Sequence, residues 1–225
     1  MSEMKIITRK LKPLGGNKKG YLRKYYDGTN IIAEEVLNEA MDTVEFNGVI
    51  PDSIVKEFYD SGKLYFECPF KNGKRNGISR NYLESGIVNI EKEYRDGLLD
   101  GIVRVYHPNG HLHKEIYYKN DIQNGRQAKY YANGRLLETA NYLNGFLDGT
   151  TRIYRENGTV QSEAVYKQDK ILGDKLVYYE NGTIALIAPH KEGKAHGITK
   201  KYYPDGKLKE EWVFDNGVLQ AKNFG

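Results

Sequence analysis

The sequence predicts an all-β fold, an elongated single-layer antiparallel sheet of stacked β-hairpins. Three observations predict it. A 24-residue period runs without a gap through most of the 225 residues. In each period, β-branched and aromatic residues lead into an Asn-Gly, Asp-Gly or Ser-Gly pair, the signature of strand, turn and strand. Apolar residues make up only 39% of the chain and 19 of them are tyrosines, so about a fifth of the apolar material is amphipathic phenol rings, which suit a thin structure better than a deep core.

The repeat columns justify the elements in turn. A first glycine column reads Gly77, Gly101, Gly125, Gly149, Gly173, Gly197. A ring column follows at Phe58, Tyr82, Tyr106, Tyr130, Tyr154, Tyr178 and Tyr202, each closing a strand. The turn glycines are Gly62, Gly86, Gly110, Gly134, Gly158, Gly182 and Gly206. Pro108 and Pro204 precede Asn-Gly and Asp-Gly, which favours a type I turn with a bulged glycine over a two-residue primed turn. Tyr106 then opposes Leu112, and each ring opposes an aliphatic residue (Leu64, Val88, Leu112, Leu136, Val160, Ile184, Leu208). A second ring column stands at Phe70, Tyr94, Tyr118, Tyr142, Tyr166, His190 and Phe214. Strict alternation places both ring columns and the aliphatic residues on one face, with Glu67, Glu91, Glu115, Glu163 and Glu211 on the other. One hairpin is too small to be stable alone, so stability becomes a nearest-neighbour property of the stack.

Seven repeats occupy residues 49–216, and 217–225 begin another. Residues 1–48 read as a degenerate repeat and cap. Gly20, Tyr25 and Asp27-Gly28 resemble half a unit, and Ile32, Val36, Leu37, Ala40 and Met41 predict a short capping helix within 31–41. Charge is uneven here. Residues 1–24 form a basic arm with eight basic side chains against Glu3, and residues 25–60 hold nine acids against Lys56. Either the arm neutralises the acidic segment, or one of the two meets a charged partner.

Catalytic patterns are missing from the sequence. Equivalent glutamates lie about 10 Å apart in such a stack, so they form a ladder of separated carboxylates rather than an acid–base pair. His107, His111 and His113 are brought near one another by the favoured turn, but the set does not recur and has no fourth ligand. GGNKKGY at 15–21 lacks the Lys-Ser/Thr of a phosphate loop. Cys68 shares its column with Ala140, Ala164, Ala188 and Trp212, which points to packing. No enzyme activity, cofactor or metal is expected. Tyr59, Tyr131, Tyr179 and Tyr203, with Arg155, are the candidate protein-binding residues, since Tyr and Arg are favoured at interfaces. Their other reading is support for the curvature of a thin sheet. The net charge of +4 and the glutamate column argue against nucleic acid. The single cysteine, the lack of an apolar leader and the lack of a membrane-length apolar run point to a cytoplasmic protein.

The unit Gly-x3-Gly-x4-Tyr-x-x-[Asn/Asp/Ser]-Gly-x-[Leu/Val/Ile]-x5-[Tyr/Phe/His] resembles the MORN-repeat superfamily. More closely, it resembles the bacterial variant repeat of YwqK-family antitoxin-like proteins. The resemblance implies one β-hairpin per repeat and a binding or scaffolding role, with an antitoxin or immunity partner protein as the specific expectation. It also implies an alternative, attachment to anionic phospholipid surfaces. The acidic 25–60 segment departs from the pattern.

Overall fold

The computed structural model describes residues 5–14, 19–39 and 43–224. Every element among them is a strand, and the chain divides into two compact units, residues 1–110 and 111–225.

The first unit contains β1 (Lys5–Pro13), β2 (Tyr21–Asp27), β3 (Asn30–Leu37), β4 (Thr43–Gly48), β5 (Ser53–Phe58), β6 (Leu64–Lys71), β7 (Lys74–Arg75), β8 (Gly77–Tyr82), β9 (Val88–Arg95) and β10 (Leu98–Tyr106). They lie in the order β4, β3, β2, β1, β5, β6, β8, β9, β10, with β7 pairing to β6 just ahead of β8. Neighbours are antiparallel except β1 and β5, which run parallel from Lys5↔Ser53 to Thr8↔Lys56. The expected antiparallel sheet therefore carries one parallel seam.

The helix predicted within 31–41 is replaced by β3 over residues 30–37, while Ala40 and Met41 lie outside the described residues. Burial there has period two, with Ala33, Glu35 and Leu37 inward, because β2 offers a matching edge: Tyr25 faces Ala33 and Arg23 faces Glu35. Pairing with β2 overrides the helical periodicity. The link from Gly48 to Ser53 makes five Cα steps, a reach of about 17 Å, whereas a flat sheet would put β4 and β5 four spacings or about 19 Å apart. The sheet therefore curls. Its inner face encloses Ile7, Tyr25, Ala33, Ile50, Val55, Phe66, Cys68 and Phe70, the core of this unit.

The second unit contains β11 (Leu112–Lys119), β12 (Ile122–Tyr130), β13 (Leu136–Leu143), β14 (Phe146–Leu147), β15 (Gly149–Tyr154), β16 (Val160–Lys167), β17 (Lys170–Ile171), β18 (Gly173–Tyr178), β19 (Ile184–Lys191), β20 (Lys194–Ala195), β21 (Gly197–Tyr202), β22 (Leu208–Asp215) and β23 (Val218–Phe224). It is an antiparallel meander in chain order, one hairpin per repeat.

Two turns alternate. At the first, Leu83 N–H donates to Ile87 O and Gly86 N–H to Leu83 O, both at 2.8 Å, the type I turn with bulged glycine that the prolines predict. At the second, both central residues have positive φ, as in Asn72-Gly73 (51° and 74°), a type I′ turn. The ring-to-aliphatic pairing holds: Tyr82↔Val88, Tyr130↔Leu136, Tyr154↔Val160, Tyr178↔Ile184, Tyr202↔Leu208.

The predicted face assignment needs correction. Next to each such pair the register slips by one residue, as between Asn81↔Ile90 and Tyr82↔Val88. The extra residue reverses the alternation beyond it. The main tyrosine column therefore shares its face with the glutamates, and the second ring column lies on the opposite face with Cys68, Ala140 and Ala164. The first glycine column sits at a further irregularity. Gly125 has φ of 113°, and a Cβ there would lie 3.1 Å from the Tyr117 Cβ.

Candidate functional site

The glutamate column is half-buried and bridged across strands and repeats. Arg80 Nε donates to Glu91 at 2.8 Å and Arg152 Nε to Glu163 at 2.7 Å. The tyrosine of the next repeat adds a second donor: Tyr82 to Glu67 at 2.7 Å, Tyr106 to Glu91 at 2.8 Å, Tyr178 to Glu163 at 2.8 Å. The Arg152 and Tyr178 hydrogen bonds hold the Glu163 carboxyl below its usual range. Burial pushes the Glu91 carboxyl up, but the hydrogen bonds from Arg80 and Tyr106 outweigh it and leave it low. Tyr82 and Tyr106 are pushed up to about 12, first by burial and then by their bonds to carboxylates. A carboxylate held ionised by such donors is poorly suited to proton transfer near neutrality.

Four of the five predicted binding residues occupy a second ladder. The hydroxyls of Tyr59, Tyr131 and Tyr179 donate at 2.7 Å to the carbonyls of Tyr82, Tyr154 and Tyr202, and Arg155 donates to the carbonyl of Tyr178. Each donor thus reaches the main chain 23 residues on, in the following repeat. A companion set spans 21 residues: Lys63 to Glu84 O at 2.9 Å, Arg135 to Glu156 O at 2.7 Å, Thr183 to Pro204 O at 3.2 Å. His111 Nδ1 lies 2.8 Å from Ala132 O in this set. The second repeat departs, with Leu83 and Ile87 in the donor positions. Tyr203 is 47% exposed, with Lys209 Nζ 5.4 Å from its ring centre. The rings of Tyr59, Tyr131 and Tyr179 remain partly exposed while their hydroxyls are committed to the next repeat. Sequence reasoning missed the ladder; its signal is the recurrence of a donor side chain one residue after the tyrosine column and again four residues later.

In the first unit the basic arm and the acidic segment pair with each other: Arg9 with Glu57 at 2.8 Å, Lys24 with Glu34 at 2.7 Å, Lys19 with Glu39 at 3.9 Å, and Arg23 with Glu35. Burial raises the Glu35 carboxyl, but hydrogen bonds from Tyr25, Arg23 and Thr43 and the charge of Arg23 bring it below its usual range. Arg9 also stacks 3.5 Å from the Phe66 ring centre. Lys10 and Lys12 have no ion-pair partner among the described residues.

Beside this cluster β1 parts from β5. Their pairing ends at Thr8↔Lys56, and a cleft of about 760 Å³ opens beyond it. One wall is Thr8–Lys12, and the other is Glu57, Phe58, Tyr59 and Asp60, with Tyr65 behind. Tyr59 and Tyr65 meet edge to face at 5.1 Å.

Cys68 is buried, and burial pushes its thiol up to about 11. Of the glycine-rich 15–21 stretch, residues 15–18 lie outside the described residues. Among the described residues no three His, Cys, Asp or Glu side chains are grouped to hold a metal ion, and no helix is long and apolar enough to cross a membrane.

Five segments, residues 51–72, 99–120, 123–144, 147–168 and 195–216, match the family model described as MORN repeat variant. No curated protein matches the chain significantly. The intervening repeats at 75–96 and 171–192 are unmatched yet share the register, Tyr82↔Val88 and Tyr178↔Ile184.

Proposed function

Because the chain belongs to the MORN-repeat superfamily, a family of non-enzymatic binding repeats, we propose that it is a non-catalytic protein-binding module. In its most concrete form it is a bacterial, cytoplasmic antitoxin or immunity protein that neutralises a partner toxin by covering it. Residues 1–48 serve as a degenerate repeat and cap, 49–216 as the seven-repeat array and 217–225 as a partial repeat.

One observation carries the binding reading. Polar groups along the array are committed to neighbouring repeats, while large apolar side chains are left outward. Ile122, Leu143 and Phe146 are each about half exposed, and Leu143 pairs with Phe146 across a junction turn. Ile122 adjoins the same turn, its Cγ2 lying 3.7 Å from where a Gly145 Cβ would sit. Exposed apolar clusters rimmed by polar residues mark interaction surfaces. Flat repeat surfaces offer the area that protein association needs.

The test is co-expression with the products of neighbouring genes. A toxic neighbour that is silenced and co-purified by this chain supports the antitoxin reading, and the absence of any such pair sinks it. Lys10, Lys12 and Lys24 line a shallow depression with Leu22 and Tyr26, which favours the alternative of an anionic membrane surface. Salt-sensitive sedimentation with phosphatidylserine vesicles, lost in Lys10→Glu/Lys12→Glu, would select it.

A further inference from the structure

Wherever the donor ladders are made they run one way, from a repeat to the one after it, and this leaves the first repeat without donors at its tip. Its tip carbonyls, Phe58 O and Asp60 O, correspond to Tyr82 O and Glu84 O, which receive Tyr59 and Lys63. The residues 23 and 21 positions earlier are Glu35 and Glu39, which are acceptors rather than donors. Glu35 is in any case engaged by Arg23, Tyr25 and Thr43. No side chain among the described residues donates to Phe58 O or Asp60 O.

Both residues line the cleft between β1 and β5, where a preceding tip would lie. At the second repeat, Ile87 takes the donor position and packs toward Gly110, 3.9 Å from a Cβ built there. The first repeat instead has open space. Beside the same cleft, Lys10–Lys12 pair with β2 on one side only, while Arg9 is buried and bridged to Glu57. Phe58 is 47% exposed and Tyr65 37%, so rings are ready to pack on an incoming group.

We propose that this cleft is a docking socket for a β-hairpin tip of a partner protein. The tip would carry Tyr or Arg, a turn closed by glycine, and Lys, Arg or Thr four residues after the Tyr or Arg. That is the pattern of Tyr59–Lys63, Tyr131–Arg135, Arg155–Thr159 and Tyr179–Thr183. The phenol or guanidinium donates to Phe58 O, and the second side chain donates to Asp60 O or its carboxylate. One strand of the hairpin adds to the free edge of β1. This proposal rests on the protein-binding reading and names the chemistry of its partner.

The probe is a cyclised hairpin peptide copying residues 128–138, added to the full chain and followed by fluorescence anisotropy and backbone amide shifts. Saturable binding with shifts confined to residues 8–12 and 57–65 is expected. Replacing the peptide's tyrosine equivalent to Tyr131 by Phe should weaken binding about tenfold, the scale of one hydrogen bond. On the protein, Phe58→Ala should weaken it, and Lys12→Trp should block it. The proposal is overturned by no saturable binding, by equal binding of the Phe peptide, or by shifts elsewhere. Sedimentation that shows a dimer dissolved by Phe58→Ala overturns the assignment to another protein. A purified partner that binds native chain and Phe58→Ala equally overturns the socket and leaves the protein-binding reading standing.

Discussion

Tyr178→Phe tests whether the phenol–carboxylate contacts hold repeats together. The change keeps the ring and removes one hydroxyl, which donates to Glu163 at 2.8 Å in a partly buried position. Deleting a hydrogen bond to a charged group costs about 1.5–3 kcal/mol. Glu163 keeps Arg152 at 2.7 Å and is a quarter exposed, so water replaces part of what is lost. A loss at or just below that range, about 1–1.5 kcal/mol, is therefore expected. Glu163→Gln removes the charge while preserving the shape, and the double variant should show a coupling of about 1 kcal/mol between the two residues. Urea unfolding by circular dichroism measures each midpoint, with an unchanged slope required for the comparison. A coupling below about 0.3 kcal/mol, the usual scatter for independent sites, would refute the contact as a source of stability.

Other outcomes follow from the same structure. Tyr179→Phe should lose about 0.5–1.5 kcal/mol through its bond to Tyr202 O, whereas Tyr203→Phe should be neutral; equal effects in thermal melts would remove the ladder. The folded state holds the protons of Tyr82 and Tyr106 to about 12, above the unfolded value near 10, so their contribution is complete below pH 10 and disappears as pH rises through 12. Ultraviolet difference titration should find late-titrating tyrosines that are absent after unfolding, fewer of them in Tyr82→Phe/Tyr106→Phe. Gly125→Ala should cost more than about 1 kcal/mol, since φ is 113° and the new Cβ meets the Tyr117 Cβ at 3.1 Å; an unshifted melting temperature contradicts this. Cys68, buried with a thiol pushed up to about 11, should resist Ellman's reagent at pH 8 until the chain is unfolded.

Much of the fold was legible because turn chemistry is local. Pro108 before Asn-Gly points to the bulged type I turn, and that turn sets ring against aliphatic residue, as at Tyr82↔Val88 and Tyr154↔Val160. The face of the glutamates was not legible by alternation, because one unpaired residue beside Tyr82 inverts everything after it, and counting by twos cannot detect it. β3 reads as a helix in isolation because Ile32, Val36 and Leu37 satisfy both periods; only the facing Tyr25 and Arg23 decide between them. Mutual neutralisation of the basic arm and the acidic segment was foreseeable from charge, but the partners were not, since Arg9 finds Glu57 across 48 residues of sequence and a parallel seam. The cleft depends on the same seam and has no sequence signature of its own.

The ladder at the turns has a bearing on how such an array changes length. Each donor addresses a main-chain oxygen, which every amino acid possesses, so the handshake ignores the identity of its recipient. Whole modules of 24 residues can therefore be duplicated or excised by slippage in the gene without retraining their new neighbours. Gain or loss of a single codon inside a strand is a different event, because it turns the downstream wall of that module inside out. Growth in fixed quanta leaves the outward side chains free to diversify from one module to the next.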